Sequence, residues 1–217
     1  KAPFSPGDVI EEYTRPARLR RGGKNISLPA LSEIELVDFP GLGTLEAFNT
    51  DGLRSLLTSS KAPEMVEKTL RYPGHAEKMR MLRETGFLSS KGVLVASGQA
   101  APRDITEALL FSAWQFEEGE PDLTVMRIVV EGDKEGKTVR HTYELLDYYN
   151  TETETSSMAR TTGYTCTGMV RLITNGIWDQ PGVAPPELVG RNIECFDAVI
   201  EHLKDRKVQV FHSVKEI

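Results

Sequence analysis

Apolar positions recur along this chain with two different periods, and the changes of period mark out its elements. From Ala17 to Leu28, apolar and β-compatible residues flank Gly22-Gly23, a pair that accepts the positive φ of a tight turn, so the segment predicts a hairpin. Glu33–Asn49 is punctuated by Pro40, Gly41 and Gly43 and reads as strand and turn; Ala62–Leu70 is short and mixed, and Pro73-Gly74 stops any helix there. Met79, Leu82 and Phe87 fall at helical spacing, which predicts a helix over His75–Thr85 with Gly86 as its C-cap. Val93–Ala96 is a short apolar strand. Pro102 then opens a second helix, with Ile105, Leu109, Leu110, Ala113 and Trp114 on its apolar side and Asp104 in its first turn, where negative charge suits the dipole.

The clearest strands are Leu123–Glu131 and Thr138–Leu146, separated by the polar run Gly132-Asp133-Lys134-Glu135-Gly136. A hairpin of that length requires antiparallel neighbours, because parallel ones need a crossover. Ser156–Thr174 predicts a third helix closed by Asn175-Gly176, and its small residues and threonines suit close packing or a ligand. Asn192–Leu203 is a fourth helix, and Val208–Val214 alternates as a final strand. No repeat or low-complexity run interrupts this order. Strands and helices are mixed, so the class is α+β or mixed α/β.

Composition narrows the function classes. The 217 residues carry 26 Lys+Arg against 32 Asp+Glu, a net charge of −6 that argues against a nucleic-acid surface. No apolar run reaches the roughly 20 residues of a bilayer span, and no signal peptide opens the chain. Cys166 and Cys195 lie far apart, which makes a reduced, cytoplasmic setting the expectation. The opening Lys-Ala-Pro-Phe-Ser-Pro-Gly lacks an initiator Met and is already turn chemistry, pointing to a processed chain or a piece of a longer one. The sequon Asn25-Ile26-Ser27 is read as chance, since nothing indicates secretion.

Candidate chemistry is sparse. Gly41-Leu42-Gly43-Thr44-Leu45-Glu46 approaches a dinucleotide fingerprint, but Glu46 stands where the third glycine belongs and would repel a pyrophosphate, so the match is rejected. There is no Walker A sequence and no nucleophile elbow. His75, His141, His202 and His212 show no zinc-site spacing, and no metal is expected; His141 and His202 are read as structural. His75 differs, because it follows Arg71-Tyr72-Pro73-Gly74 at a helix start and gathers a guanidinium, a phenol, an imidazole and backbone N–H groups, the makings of a carboxylate clamp. The alternative pairs Arg71 with Glu67 and leaves His75 exposed. Arg15, Arg18, Arg20, Arg21 and Lys24 are either an anion site or a hairpin edge protected by charge. Met158-Ala159-Arg160-Thr161-Thr162-Gly163 puts a glycine inside a helix, which suits either a functional site or a helix–helix contact at Gly163.

Several blocks, taken together, resemble one family. Phe4-Ser5-Pro6, Val9-Ile10-Glu11-Glu12-Tyr13 and Arg15-Pro16-Ala17 come first, followed by Leu45-Glu46-Ala47-Phe48-Asn49-Thr50-Asp51-Gly52-Leu53 and Thr69-Leu70-Arg71-Tyr72-Pro73-Gly74-His75. Met158–Gly163 and Gly182-Val183-Ala184-Pro185-Pro186-Glu187 complete the series. In this order they resemble the C-terminal domain of saccharopine dehydrogenase-like proteins, nearest in flavour to the lysine 6-dehydrogenase branch. The resemblance implies a mixed, largely antiparallel sheet covered by helices, one such domain over residues 1–217, and a Rossmann domain elsewhere that binds NAD or NADP. It implies an NAD(P)-dependent oxidoreductase acting at a carbon–nitrogen bond of lysine, saccharopine or a related amino acid, working as a homodimer and silent without its cofactor domain. A non-catalytic amino-acid-binding or oligomerisation module is the other reading. By the same resemblance Arg71, with Tyr72 beside it, grips the substrate α-carboxylate, Asn49 and Asp51 take its amino end, Thr161 and Thr162 face the cleft, and His75 handles the proton.

Overall fold

The first element is one that the turn-like opening of the chain conceals. The structure, a computed structural model, describes residues 1–2, 5–96 and 98–217, so Phe4, which begins the family resemblance, lies outside the described residues. Within them Pro6 opens a helix, α1 (Pro6–Thr14), rather than a turn. Proline suits a first helical turn, where its missing N–H is no loss. Val9, Ile10 and Tyr13 then share one buried face.

Two units of the chain are separately compact, Lys1–Phe116 and Glu117–Ile217. In the first, β1 (Ala17–Arg21) and β2 (Lys24–Leu28) form the expected hairpin around Gly22-Gly23. β3 (Glu35–Phe39) and β4 (Gly43–Asn49) form another, and after the short α2 (Leu56–Ser59) the strand β5 (Lys68–Arg71) pairs with the far side of β4. α3 (His75–Glu84), the small hairpin of β6 (Val93–Val95) and β7 (Gly98–Ala100), and α4 (Pro102–Trp114) complete the unit. Its core gathers Val9, Ile10 and Tyr13 of α1, Leu31, Phe48 of β4, Ala76 and Met79 of α3, and Leu88. A second cluster of Leu19, Leu53 and Leu57 lies under the first hairpin.

The other unit is built on β8 (Leu123–Lys134) and β9 (Lys137–Tyr148), followed by α5 (Ser157–Thr174), α6 (Pro186–Val189), α7 (Ile193–Lys204) and β10 (Val210–Glu216). The three strands form one sheet in the order β10-β9-β8. The polar run expected as a five-residue turn is mostly strand: Lys134 pairs with Lys137, and only Glu135 and Gly136, with φ of 54° and 79°, make the turn. Two positive-φ residues match the right-handed twist of the flanking strands. α5 is capped by Ser156, whose side chain accepts from the Ala159 N–H, a contact of about 1 kcal/mol. α5 and α7 cover one end of the sheet through Leu145, Leu203 and Val208, with Leu172, Val189 and Cys195 beneath.

Among the described residues every strand pair is antiparallel and seven helices are present. The α+β class therefore holds, with the antiparallel strands divided among four small sheets. No helix among the described residues is long and apolar enough to cross a membrane. The helix–helix contact expected at Gly163 falls one turn and more further on: a Cβ at Gly163 meets nothing within 4 Å, whereas one at Gly168 would lie 3.3 Å from the His202 ring.

Candidate functional site

α1 links the two family blocks that carry most of the expected site. Asn49 pairs with Lys68 and Glu46 with Arg71, so the Asn49–Gly52 and Arg71–His75 blocks leave the β4–β5 ladder three rungs apart, about 10 Å. A pocket of about 240 Å³ opens beside the first of them. α1 lines it with Asp8, Glu11, Glu12 and Arg15, and the chain after β4 lines it with Thr50, Asp51, Gly52 and Arg54. Glu67 and Thr69 close the remaining side. The lining presents five carboxylates and two guanidinium groups, and Arg18, Arg71 and Arg103 from outside it pair with Asp51, Glu12 and Glu11.

Most of the polar groups in the wall have defined partners. Asp51 accepts from the Arg18 Nε at 2.8 Å, the Arg18 Nη2 at 2.9 Å and the Arg18 backbone N–H at 3.2 Å. Burial pushes the Asp51 carboxyl up, but the side-chain and backbone bonds from Arg18 outweigh it and hold the group below its usual value. Glu67 accepts from the Thr50 hydroxyl at 2.6 Å and from the Gly52 N–H at 2.9 Å. Gly52 is obligatory for that approach, since a Cβ there would sit 2.4 Å from the Glu67 Cδ. Burial raises the Glu12 carboxyl; Arg71 pulls it back and Glu67 pushes it further up, leaving it above its usual value.

The other expected residues are placed as follows. The Arg71 guanidinium donates to Glu12 Oε2 at 2.6 Å and to the Leu70 carbonyl at 2.9 Å, so it reaches the pocket through Glu12, and Glu67 is not its partner. Asn49 is fully buried; its Nδ2 donates to Ser32 and Glu33, and its Oδ1 has no partner among the described residues. It is a wall behind the pocket rather than part of its lining. Tyr72 is 62% exposed. His75 is not exposed: its Nε2 lies 3.0 Å from the Tyr13 hydroxyl. Burial first, then the Arg71 charge, lowers its pKa to about 4, so at neutral pH it is uncharged and poorly suited to carry a proton. The N–H groups at this helix start, expected to face a ligand, are taken by Glu46, which accepts from Gly74 at 3.2 Å and Ala76 at 2.6 Å.

Thr161 and Thr162 belong to the other unit. Thr161 donates to the Ser157 carbonyl of its own helix at 2.9 Å, and the Thr162 hydroxyl lies 3.5 Å from the Met158 sulfur. The residue in that block with the larger structural role is Arg160, which sequence reasoning passed over. Its Nε and Nη2 each donate to Asp147 at 3.1 Å, and Nη2 also reaches the Arg206 and Lys207 carbonyls. Ser157 completes the cluster by donating to Asp147 at 2.8 Å.

Two other sequence features resolve as scaffold. Gly41-Leu42-Gly43 is the turn of the β3–β4 hairpin, and Glu46 beyond it caps α3. A dinucleotide does not fit there, because no helix start follows to meet its pyrophosphate. The arginines of the basic cluster are held by internal acceptors: Arg18 by Asp51, Arg21 by Glu33, Arg15 by Glu11, and Arg20 by Asn25 and the Leu57 and Ser60 carbonyls. Among the described residues no three His, Cys, Asp or Glu side chains converge as a metal cage.

The sequence profile of the saccharopine dehydrogenase C-terminal domain matches residues 1–208. The chain belongs to that family. It is 31% identical over 135 residues to a saccharopine dehydrogenase [NADP(+), L-glutamate-forming] of Schizosaccharomyces pombe, covering 59% of this chain and 29% of that protein. A saccharopine dehydrogenase (L-Glu forming) of Saccharomyces cerevisiae shares the fold at a TM-score of 0.76 and 18% identity, over 99% of this chain and 62% of that one. The chain thus spans less than two thirds of either relative.

Proposed function

We propose that this chain is the substrate-binding part of an NAD(P)-dependent oxidoreductase that acts at a carbon–nitrogen bond of lysine, saccharopine or a related amino acid. The charged pocket carries the reading, because it is built by the blocks on which the family resemblance rests, with Asp51 and Gly52 from one, Glu11 and Glu12 from a second and Arg15 from a third. In this reading the carboxylates receive the substrate ammonium, Arg15 and Arg54 receive a carboxylate, and Arg71 sets the position and charge of Glu12. The nicotinamide cofactor supplies the hydride chemistry from a domain other than this one. The likeness to the fission-yeast saccharopine dehydrogenase [NADP(+), L-glutamate-forming] supports this class of reaction.

Calorimetric titration with L-lysine, saccharopine and NAD⁺ tests it. Amino-acid binding that weakens about tenfold or more in Arg71→Ala and Asp51→Asn, with no heat from NAD⁺, is the expected result. Binding of NAD⁺ alone, or amino-acid binding indifferent to both substitutions, would overturn it. We also propose that a second copy covers the sheet face turned away from α5 and α7, where Val129 is 49% and Phe211 62% exposed. Size-exclusion chromatography with light scattering should then give a dimer, and a strict monomer at high concentration would refute it.

A further inference from the structure

Strand pairing brings together two histidines that are far apart in sequence. Tyr143 pairs with His212 and His141 with Val214, so side chains of β9 and β10 at these positions share one sheet face. That face continues from Leu145 and Val210, where α5 and α7 cover it, to an open end beyond them. There His141 Nδ1 lies 3.0 Å from His212 Nε2. The two imidazoles are nearly parallel, with centroids 5.2 Å apart and planes at 14°. His212 is also stacked on Tyr143 at 4.2 Å and 5°, and Tyr143 is braced edge-on by Phe196 of α7 at 6.3 Å. The rings are therefore held in place while His212 stays exposed to solvent.

We propose that His141 and His212 form a bidentate imidazole site for a late first-row divalent cation such as Zn²⁺, Ni²⁺ or Cu²⁺. The bite is the deciding geometry. With metal–nitrogen bonds of about 2.05 Å, two nitrogens stand about 2.9 Å apart at a right angle and about 3.3 Å apart at the tetrahedral angle. The observed 3.0 Å falls inside that span; with centroids 5.2 Å apart the two nitrogens face each other nearly head-on, as in an N–H···N hydrogen bond, so chelation swings both rings about their side-chain bonds toward a common point beside that line. In the metal-free pair one ring donates its N–H to the other. On binding, that proton shifts to the donor's second nitrogen, both facing nitrogens present lone pairs, and no net proton is released by the neutral pair. Imidazole suits these ions better than Mg²⁺ or Ca²⁺, which prefer oxygen. Water fills the positions that the two side chains leave open. Antiparallel register already brings the two side chains together in the folded chain, which limits the ordering cost of binding.

Titration of the full chain with NiCl₂ and with ZnCl₂ in a non-chelating buffer tests the site. A saturable 1:1 isotherm is expected, weakened about tenfold or more by His141→Ala and by His212→Ala, and lost on acidification because the ligating imidazoles must be unprotonated. His202→Gln and His75→Gln should leave it unchanged. His212→Gln provides a fold control, since glutamine can keep a hydrogen bond to His141 without completing the chelate; circular dichroism should match the parent while binding falls. Cu²⁺ bound to the parent should give an electron paramagnetic resonance spectrum with coupling to two nitrogens. Absence of saturable binding, or binding that survives removal of either histidine, would overturn the proposal.

Discussion

Replacing Arg160 by leucine removes the central cation of a buried network. Arg160 and Asp147 side chains are only 5% and 6% exposed, and the two are joined by a pair of parallel hydrogen bonds. In Arg160→Leu the Asp147 carboxylate keeps the Ser157 hydroxyl but loses its counter-ion, and the Arg206 and Lys207 carbonyls lose a donor. An uncompensated buried charge of this kind costs about 3–5 kcal/mol. At about 2–4 °C per kcal/mol for a chain of this length, the melting temperature should fall by roughly 6–20 °C. Scanning calorimetry and urea unfolding measure the loss. The double variant Asp147→Leu/Arg160→Met carries no buried charge, so it should recover at least half of it. A single-variant loss below about 1 kcal/mol, or a double variant as unstable as the sum of the singles, would refute the argument that this family block is a structural anchor.

Other perturbations follow from single contacts. His75 titrates at about 4 in the fold against 6.5 unperturbed, so the unfolded chain binds more protons between those values. Stability is therefore fully present above pH 6.5 and declines as pH falls toward 4, by about 3 kcal/mol at most; urea midpoints across that range should flatten in His75→Gln. Gly52→Ala should drive the Glu67 carboxylate from the Gly52 N–H and weaken amino-acid binding about tenfold, read by calorimetry, with little change in melting temperature. Gly163→Ala should stabilise the chain by about 0.5–1 kcal/mol, because open space surrounds that position, whereas Gly168→Ala should destabilise it by crowding His202; both are read from thermal midpoints.

Much of the architecture was legible because it rests on short-range chemistry. The β8–β9 hairpin, the helix over His75–Glu84 and the helices that begin next to Ser156 and Asn192 follow from alternation and helical spacing. α1 was concealed because proline and glycine signal a turn and a first helical turn alike, and only burial of Val9, Ile10 and Tyr13 decides between them. The candidate residues were legible as types: a guanidinium beside a helix start, an acid in a glycine-containing turn.

Their partners were not. Arg71 meets Glu12 across 59 residues, Asp51 meets Arg18 across 33, and Ala76 meets Glu46 across 30. Nothing local distinguishes these acids from others in reach, so only the tertiary packing of α1, β1, β4 and α3 selects them. The same packing hides His75 and moves its proton affinity away from neutrality, an effect of burial with no sequence signature. His141 and His212 stand 71 residues apart and meet only through the register of β9 and β10. Sequence set which elements form, because those depend on neighbours within a few residues. Tertiary structure chose which charges neutralise one another and which remain to meet a ligand, because that depends on distances the chain fixes only once it is folded.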